Sequence, residues 1–154
     1  MADNEKRRLP VLQAQGEEPE EARPPWHWVG FGAVAIFVAW LPLAWIAEAV
    51  GRRLAGDRLA RLGELDHHAR LVVYAELAVP QAVALVLAAM AGGFLVTKFG
   101  QGTRRRDAAF AGLAVGLLAL GLTFAQAGFS IAPLVVPLLA MGAAAAGGAV
   151  GARR

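Results

Sequence analysis

The sequence predicts an all-α membrane protein: a bundle of four transmembrane helices preceded by a disordered N-terminal tail. Three observations support this fold class. Hydrophobic residues make up 57% of the 154 residues and charged residues only 18%, which is too apolar for an ordinary soluble domain. The apolar residues form runs that are long enough to cross a hydrocarbon core of about 30 Å. The charged residues are gathered in short clusters between those runs.

Charge-free runs define the four predicted helices. Residues 29–47 and 77–97 each have about the 20 residues that a membrane-spanning helix needs. Residues 108–152 contain no charged residue or histidine. As one helix this run would be about 67 Å long, so it has to turn back once. Gly128, Ser130 and Pro133 favour a turn because these residue types end, cap and begin helices. Within a domain of residues 26–154, the predicted helices cover residues 28–50, 71–98, 107–127 and 131–151.

Two polar segments accompany these helices. Residues 1–25 are rich in acidic residues and contain four prolines, which predicts a disordered cytoplasmic tail. In residues 53–71, alanine and leucine recur at helical spacing, with arginines on the other sides. This pattern predicts a short amphipathic helix between helices 1 and 2, either on the membrane surface or as an extension of helix 2. Trp26 and Trp28 are expected at one membrane interface and Trp45 at the other.

The distribution of lysine and arginine predicts the orientation of the chain. With the N-terminus in the cytoplasm, ten of these residues lie on the cytoplasmic side and five on the outer side. The positive-inside rule favours this arrangement. We therefore expect a multi-pass protein of a bacterial inner membrane with both termini in the cytoplasm. The basic clusters flank apolar runs and lack interleaved aromatic residues, so we do not expect nucleic acid as a partner.

Helix 3 contains small or polar residues at alternating spacings of three and four, an arrangement that places them on one face. These residues are Ala109, Gly112, Gly116, Ala119, Thr123 and Gln126. Small residues allow membrane helices to approach closely, and close packing drives their association. We expect helix 3 to lie at the centre of the bundle and to pack through Gly112, Gly116 and Ala119.

The sequence places two ionisable residues at membrane depth, Glu48 at the outer end of helix 1 and Glu76 in helix 2. We expect Glu48 to form an ion pair with Arg52 one helical turn away, and Glu76 is the better candidate for a function. Pro80 has no N–H to donate to the carbonyl of residue 76, so an unpaired oxygen lies near the carboxylate. Two interpretations follow. Glu76, Gln81, Thr123 and Gln126 can form one polar cluster that holds a cation or a proton. Alternatively, the same side chains hold neighbouring helices together through hydrogen bonds of about 1 kcal/mol or less.

The residues needed for catalysis or metal binding are not assembled in the sequence. Cysteine is absent, which excludes thiolate metal sites and a cysteine nucleophile. Adjacent His67 and His68 diverge by about 100° on a helix and do not easily share a metal. Ser130, the sole serine, has no histidine at its depth. We therefore expect neither an enzyme nor a cofactor or metal site.

These observations lead to two hypotheses for function. The first is a small subunit, or an accessory or assembly factor, of a membrane complex. Its partners would be the lipid bilayer and either other membrane subunits or further copies of the chain. The second is a small oligomeric transporter or channel that uses the polar cluster around Glu76.

Overall fold

The computed structural model describes residues 25–100, 102–127 and 132–153, with side chains for 26–100, 102–125 and 133–153. The predicted disordered tail and the centre of the predicted turn, residues 128–131, lie outside this range. Within the described residues the chain is helical, which confirms the all-α class. The helices are α1 (Pro25–Ala55), α2 (His67–Phe99), α3 (Arg105–Ala127) and α4 (Val135–Gly151), and a 3₁₀ turn at Ala132–Leu134 leads into α4.

Three of these helices are long and apolar enough to cross a membrane. They are α1, α2 and α3. The fourth helix, α4, is equally apolar in character but has 17 residues. Its 3₁₀ turn extends the helical segment at the end where α3 and α4 are connected.

The helices of the first hairpin extend further than the sequence predicted. Helix α1 reaches Ala55, and α2 begins at His67, whereas the predicted bounds were residues 50 and 71. Asp66 provides the beginning of α2, because its side chain accepts a hydrogen bond from the Ala69 backbone N–H at 2.7 Å. A carboxylate in this N-cap position satisfies a backbone donor that has no partner within the helix.

The segment between α1 and α2 does not contain the predicted amphipathic α-helix. Gly56–Arg58 forms one 3₁₀ turn, and residues 59–65 form turns and a bend. Gly56 has a φ of +52°, a conformation that glycine adopts without steric cost, and it ends α1. The lengthened α1 and α2 leave too few residues for a separate helix. The last part of the helical pattern instead belongs to α2, which begins at His67. This corresponds to the second placement considered above, an extension of helix 2.

Helix α2, and not α3, lies at the centre of the bundle. It packs extensively against α1 and α4, while α3 packs mainly against α4. In their apolar windows, 39% of α2 is buried, compared with 28% of α3 and 11% of α1. Two adjacent glycines explain this position: a Cβ at Gly92 would collide with Ile36 of α1, and a Cβ at Gly93 would collide with the backbone of Ala144 in α4. The prediction that α3 is central was therefore wrong.

Small residues also form the contact between α3 and α4. A Cβ at Gly112 would collide with the carbonyl of Ala140, and a Cβ at Gly116 would lie 2.5 Å from the Pro137 Cα. The buried core is composed mostly of alanine: Ile36, Leu85, Ala88, Ala89, Ala111, Val115, Ala140 and Ala144. Close backbone approach, and not the burial of large side chains, therefore dominates the packing of this bundle.

Candidate functional site

Glu76 lies in the third turn of α2, and its carboxylate forms an ion pair with Arg58. The Arg58 Nη2 atom donates to Glu76 Oε1 at 2.7 Å, and the same nitrogen lies 2.9 Å from the Leu54 carbonyl oxygen. The Glu76 side chain is 22% exposed, whereas that of Arg58 is 47% exposed. The second carboxylate oxygen, Oε2, is buried and has no hydrogen-bond partner in the described part of the chain. The carboxylate is thus only partly satisfied.

The backbone carbonyl of Glu76, which Pro80 leaves without a helical partner, is covered by α1. A Cβ at Gly51 would lie 3.1 Å from that carbonyl oxygen and 3.2 Å from the Leu77 Cα. Glycine therefore permits the backbone of α1 to lie directly against this part of α2. The free carbonyl faces a close helix contact, which is a structural reason for a glycine at this position.

The two members of the predicted polar cluster whose side chains are described, Gln81 and Thr123, do not join Glu76 in one hydrogen-bonded group. Gln81 Nε2 donates to the Ala44 carbonyl oxygen at 3.1 Å and so links α2 to α1. Thr123 Oγ1 donates to the Ala119 carbonyl oxygen of its own helix at 2.8 Å. The side chain of Gln126 lies outside the described residues. These contacts match the second interpretation of the cluster, hydrogen bonds that hold the helices in place.

Gln81 and Thr123 do line one cavity, which lies among the four helices and has a volume of about 490 Å³. Ligand sites commonly have volumes of about 300–1,000 Å³, and bundles often place such sites between helices. Ala119 and Trp40 also line the cavity, together with apolar residues from α2, from α4 and from the turn before α4. None of the described lining residues is ionisable, and Glu76 is not among them.

Trp40 is a functional candidate that the sequence analysis missed. Its indole lines the cavity, and its Nε1 atom is buried without a hydrogen-bond partner in the described part of the chain. Buried polar groups of proteins are nearly always paired, so this unpaired donor is unusual. Because its Nε1 atom has almost no accessible surface, the ring and not the N–H faces the cavity. The sequence contained a signal for this residue, because Trp40 lies inside an apolar run, away from the expected interface positions of Trp28 and Trp45.

Thr97 is a second polar residue that the sequence analysis did not single out. Its Oγ1 lies 3.0 Å from the Gly148 carbonyl oxygen of α4 and 3.2 Å from the Gly93 carbonyl oxygen of its own helix. A Cβ at Gly151 would collide with the same hydroxyl. Thr97 therefore joins α2 to α4 at a point where glycines allow the two backbones to meet.

The two ends of the bundle differ in charge. At one end, where α2 and α4 finish and α3 begins, basic residues dominate; we call this the basic end. Its described basic residues are Lys98, Arg104, Arg105, Arg106 and Arg153. Asp107 is 6% exposed there and accepts a hydrogen bond from the Arg104 backbone N–H at 2.7 Å, which caps α3. At the opposite end, arginines alternate with carboxylates in pairs such as Arg52–Glu48.

Among the described residues, no group of three or more His, Cys, Asp or Glu side chains is placed to hold a metal ion. Comparisons of the chain with protein-family models, with curated proteins and with solved structures found no match. Its function therefore has to be inferred from its own geometry.

Proposed function

We propose that this protein is a four-span subunit, or an accessory or assembly factor, of a complex in a bacterial inner membrane. It acts through helix contacts and not through catalysis. The observation that carries the proposal is the outward face of α4. There, Gly142 has open space where a Cβ would be, and Ala146, one turn further on, is exposed. Two small residues four apart let another membrane helix approach closely.

The dimensions of the helices support a membrane setting. In α1, Trp26 and Trp45 are strongly exposed, and about 19 residues separate them, which corresponds to about 28 Å. In α2, about 22 residues and thus about 33 Å separate Lys98 from Glu76. Both spans match a hydrocarbon core of about 30 Å. With the turn that precedes it, α4 offers about 20 residues for the fourth crossing.

This placement puts the Arg58–Glu76 ion pair at a membrane boundary. Lys98 marks one face of the bilayer, and Glu76 lies about one hydrocarbon thickness away in the same helix. A charged pair at the boundary is far less costly than one at the centre of the bilayer. The basic end faces the cytoplasm, in accordance with the positive-inside rule.

Cysteine labelling tests the membrane topology, and the natural chain has no cysteine to interfere. Gly63 lies in the turn between α1 and α2 and has open space around its Cα. We expect Gly63→Cys to react with a membrane-impermeant maleimide in intact cells. Arg154→Cys, next to the basic end, is expected to react only after the cells are permeabilised. The reverse pattern, or recovery of the chain in the soluble fraction without detergent, would overturn the proposal.

Crosslinking tests the assembly surface on α4. We expect Gly142→Cys to form a crosslinked species, either with a second copy or with a co-purifying membrane subunit. Val38→Cys, on the exposed face of α1, serves as the control, because the residues four positions away from it are Val34 and Pro42 and not small residues. A protein that stays monomeric in mild detergent and gives equal, low crosslinking at both positions would contradict the proposal.

A second candidate function is a small oligomeric transporter or channel for ions or protons. It is favoured by one observation, the buried and unpaired Oε2 of Glu76. Such a function predicts proton or cation flux in liposomes that is lost in Glu76→Gln and kept in Glu48→Gln, whose carboxylate belongs to an exposed pair. Absent flux, or flux that Glu76→Gln leaves unchanged, rejects this candidate.

A further inference from the structure

The cavity lined by Trp40, Gln81 and Thr123 has the chemical character of a site for one kind of ligand. Its described walls are almost entirely hydrocarbon, which suits an apolar molecule. None of its described lining residues is ionisable, so a charged group would find no counter-charge among them and would enter at high cost. The occupant is therefore uncharged.

The polar groups of the cavity indicate what that molecule carries. The Trp40 indole ring lines the cavity, but its buried Nε1 atom is not accessible from it, so this donor does not serve an occupant. Gln81 uses its Nε2 for the Ala44 carbonyl oxygen, and its Oε1 makes no hydrogen bond among the described residues. Thr123 donates its hydroxyl proton to its own helix, so its Oγ1 offers lone pairs. The described walls of the cavity thus offer two unused acceptors, Gln81 Oε1 and Thr123 Oγ1.

A hydroxyl group is the simplest uncharged group that donates a hydrogen bond. We propose that this cavity binds an uncharged molecule with a hydrocarbon body and a hydroxyl group, and that the hydroxyl donates its proton to Thr123 or Gln81, beside the indole ring of Trp40. This site goes beyond the assembly role proposed above and does not depend on the α4 surface. Binding to this cavity does not require that the chain spans a membrane, and the bilayer of the nanodisc serves only to carry the probes.

Fluorescence of Trp40 gives a direct readout of occupancy. In a full-length chain with Trp26, Trp28 and Trp45 replaced by phenylalanine, Trp40 is the sole tryptophan. We would titrate this protein, in phosphatidylcholine nanodiscs, with 2-bromo-1-undecanol, whose bromine lies next to the hydroxyl and quenches indole emission at contact. The matched probe is 2-bromoundecane, which lacks the hydroxyl. We expect saturable quenching, with half-quenching at a bilayer mole fraction at least tenfold lower for the alcohol.

Two variants with matched controls locate the effect in the cavity. Ala119→Leu fills the cavity and is expected to raise the half-quenching mole fraction of the alcohol at least tenfold. Ala114→Leu, the same substitution at an exposed site of α3, is expected to change it less than twofold. Thr123→Val keeps the shape of the side chain and is expected to remove most of the preference for alcohol over alkane.

Each result of these titrations either supports the proposed binding or overturns it. Equal half-quenching by the alcohol and the alkane overturns the proposal, as does equal behaviour of folded Ala119→Leu and Ala114→Leu. If Ala119→Leu fails to fold, the probe pair and Thr123→Val decide the question. Mass spectrometry of solvent extracts identifies the source. A hydroxyl-bearing lipid retained by the natural chain indicates the bilayer, and tight alcohol binding without retained lipid indicates a molecule that arrives from outside it.

Discussion

Arg58 is hydrogen-bonded to Glu76 at 2.7 Å, and this pair ties the 3₁₀ turn after α1 to the third turn of α2. The relationship depends on Gly56, whose positive φ ends α1 and lets the chain turn before Arg58. The nearby Arg52–Glu48 pair is a contrast, since it lies within one helix and its side chains are 67% and 49% exposed. The same two residue types thus meet in two environments.

We expect Arg58→Ala to lower the free energy of unfolding by about 1 kcal/mol, because it leaves a half-buried carboxylate without its partner. Arg52→Ala should cost less than about 0.5 kcal/mol, as is usual for an exposed pair one helical turn apart. Unfolding in one detergent measures both. The double variant Arg58→Ala with Glu76→Gln should recover part of the loss, because the unpaired charge is gone. Equal effects of the two alanine substitutions would contradict this account.

Two glycine substitutions should separate folding from assembly. Gly116→Leu places a side chain against the Pro137 backbone, where even a Cβ would lie 2.5 Å away, so we expect loss of several kcal/mol of stability or failure to fold. Gly142→Leu enters open space and should leave the melting temperature of the isolated chain nearly unchanged while reducing its assembly. Thermal unfolding and native electrophoresis measure the two effects. A stable Gly116→Leu protein would refute the proposed close contact of α3 with α4.

The positions of the helices were readable from the sequence, because long apolar runs and the charges between them directly reflect where helices can be. The ends of the helices could not be predicted in the same way, because the pattern of apolar residues gives no information about the polar segments between them. There, local side-chain chemistry determines the ends: Asp66 caps α2, which begins at His67, four residues before the predicted start, and Gly56 ends α1. The amphipathic pattern in residues 53–71 was real but continued into α2.

Contacts between helices were harder to predict, because periodicity fixes the face of a helix and not its register against a neighbour. Glu76 was grouped with Gln81 although their separation places them about 140° apart on an ideal helix, so that the grouping required Pro80 to bend α2. The partner that it meets, Arg58, comes from across the turn, and Gln81 reaches α1 instead. Glycine contacts such as Gly92 with Ile36 set the register that produces these pairs. The cavity beside Trp40 needs all four helices and has no counterpart in any single run of residues.

The hydrogen bond from Thr97 to α4 should contribute measurably to stability. Thr97→Val removes the hydroxyl that lies 3.0 Å from the Gly148 carbonyl oxygen, and we expect a loss of about 0.5–1 kcal/mol, as for other hydrogen bonds between membrane helices. Thr123→Val is the control, since among the described residues its hydroxyl donates to its own helix, and it should cost less. Unfolding measurements that rank the two variants in the opposite order would exclude this role for Thr97.

The cap at Asp66 yields a local prediction. Asp66→Ala removes the acceptor of the Ala69 N–H, so the first turn of α2 should open more readily, at a cost of about 1 kcal/mol. Asp57→Ala is the matched control, because Asp57 makes no side-chain hydrogen bond among the described residues. Hydrogen exchange should be faster at residues 67–70 in Asp66→Ala alone, with protection near Gly92 unchanged, since helix ends open without unfolding of the core. Unaltered exchange at residues 67–70 would show that packing of α2 against α1, and not the cap, determines where α2 begins.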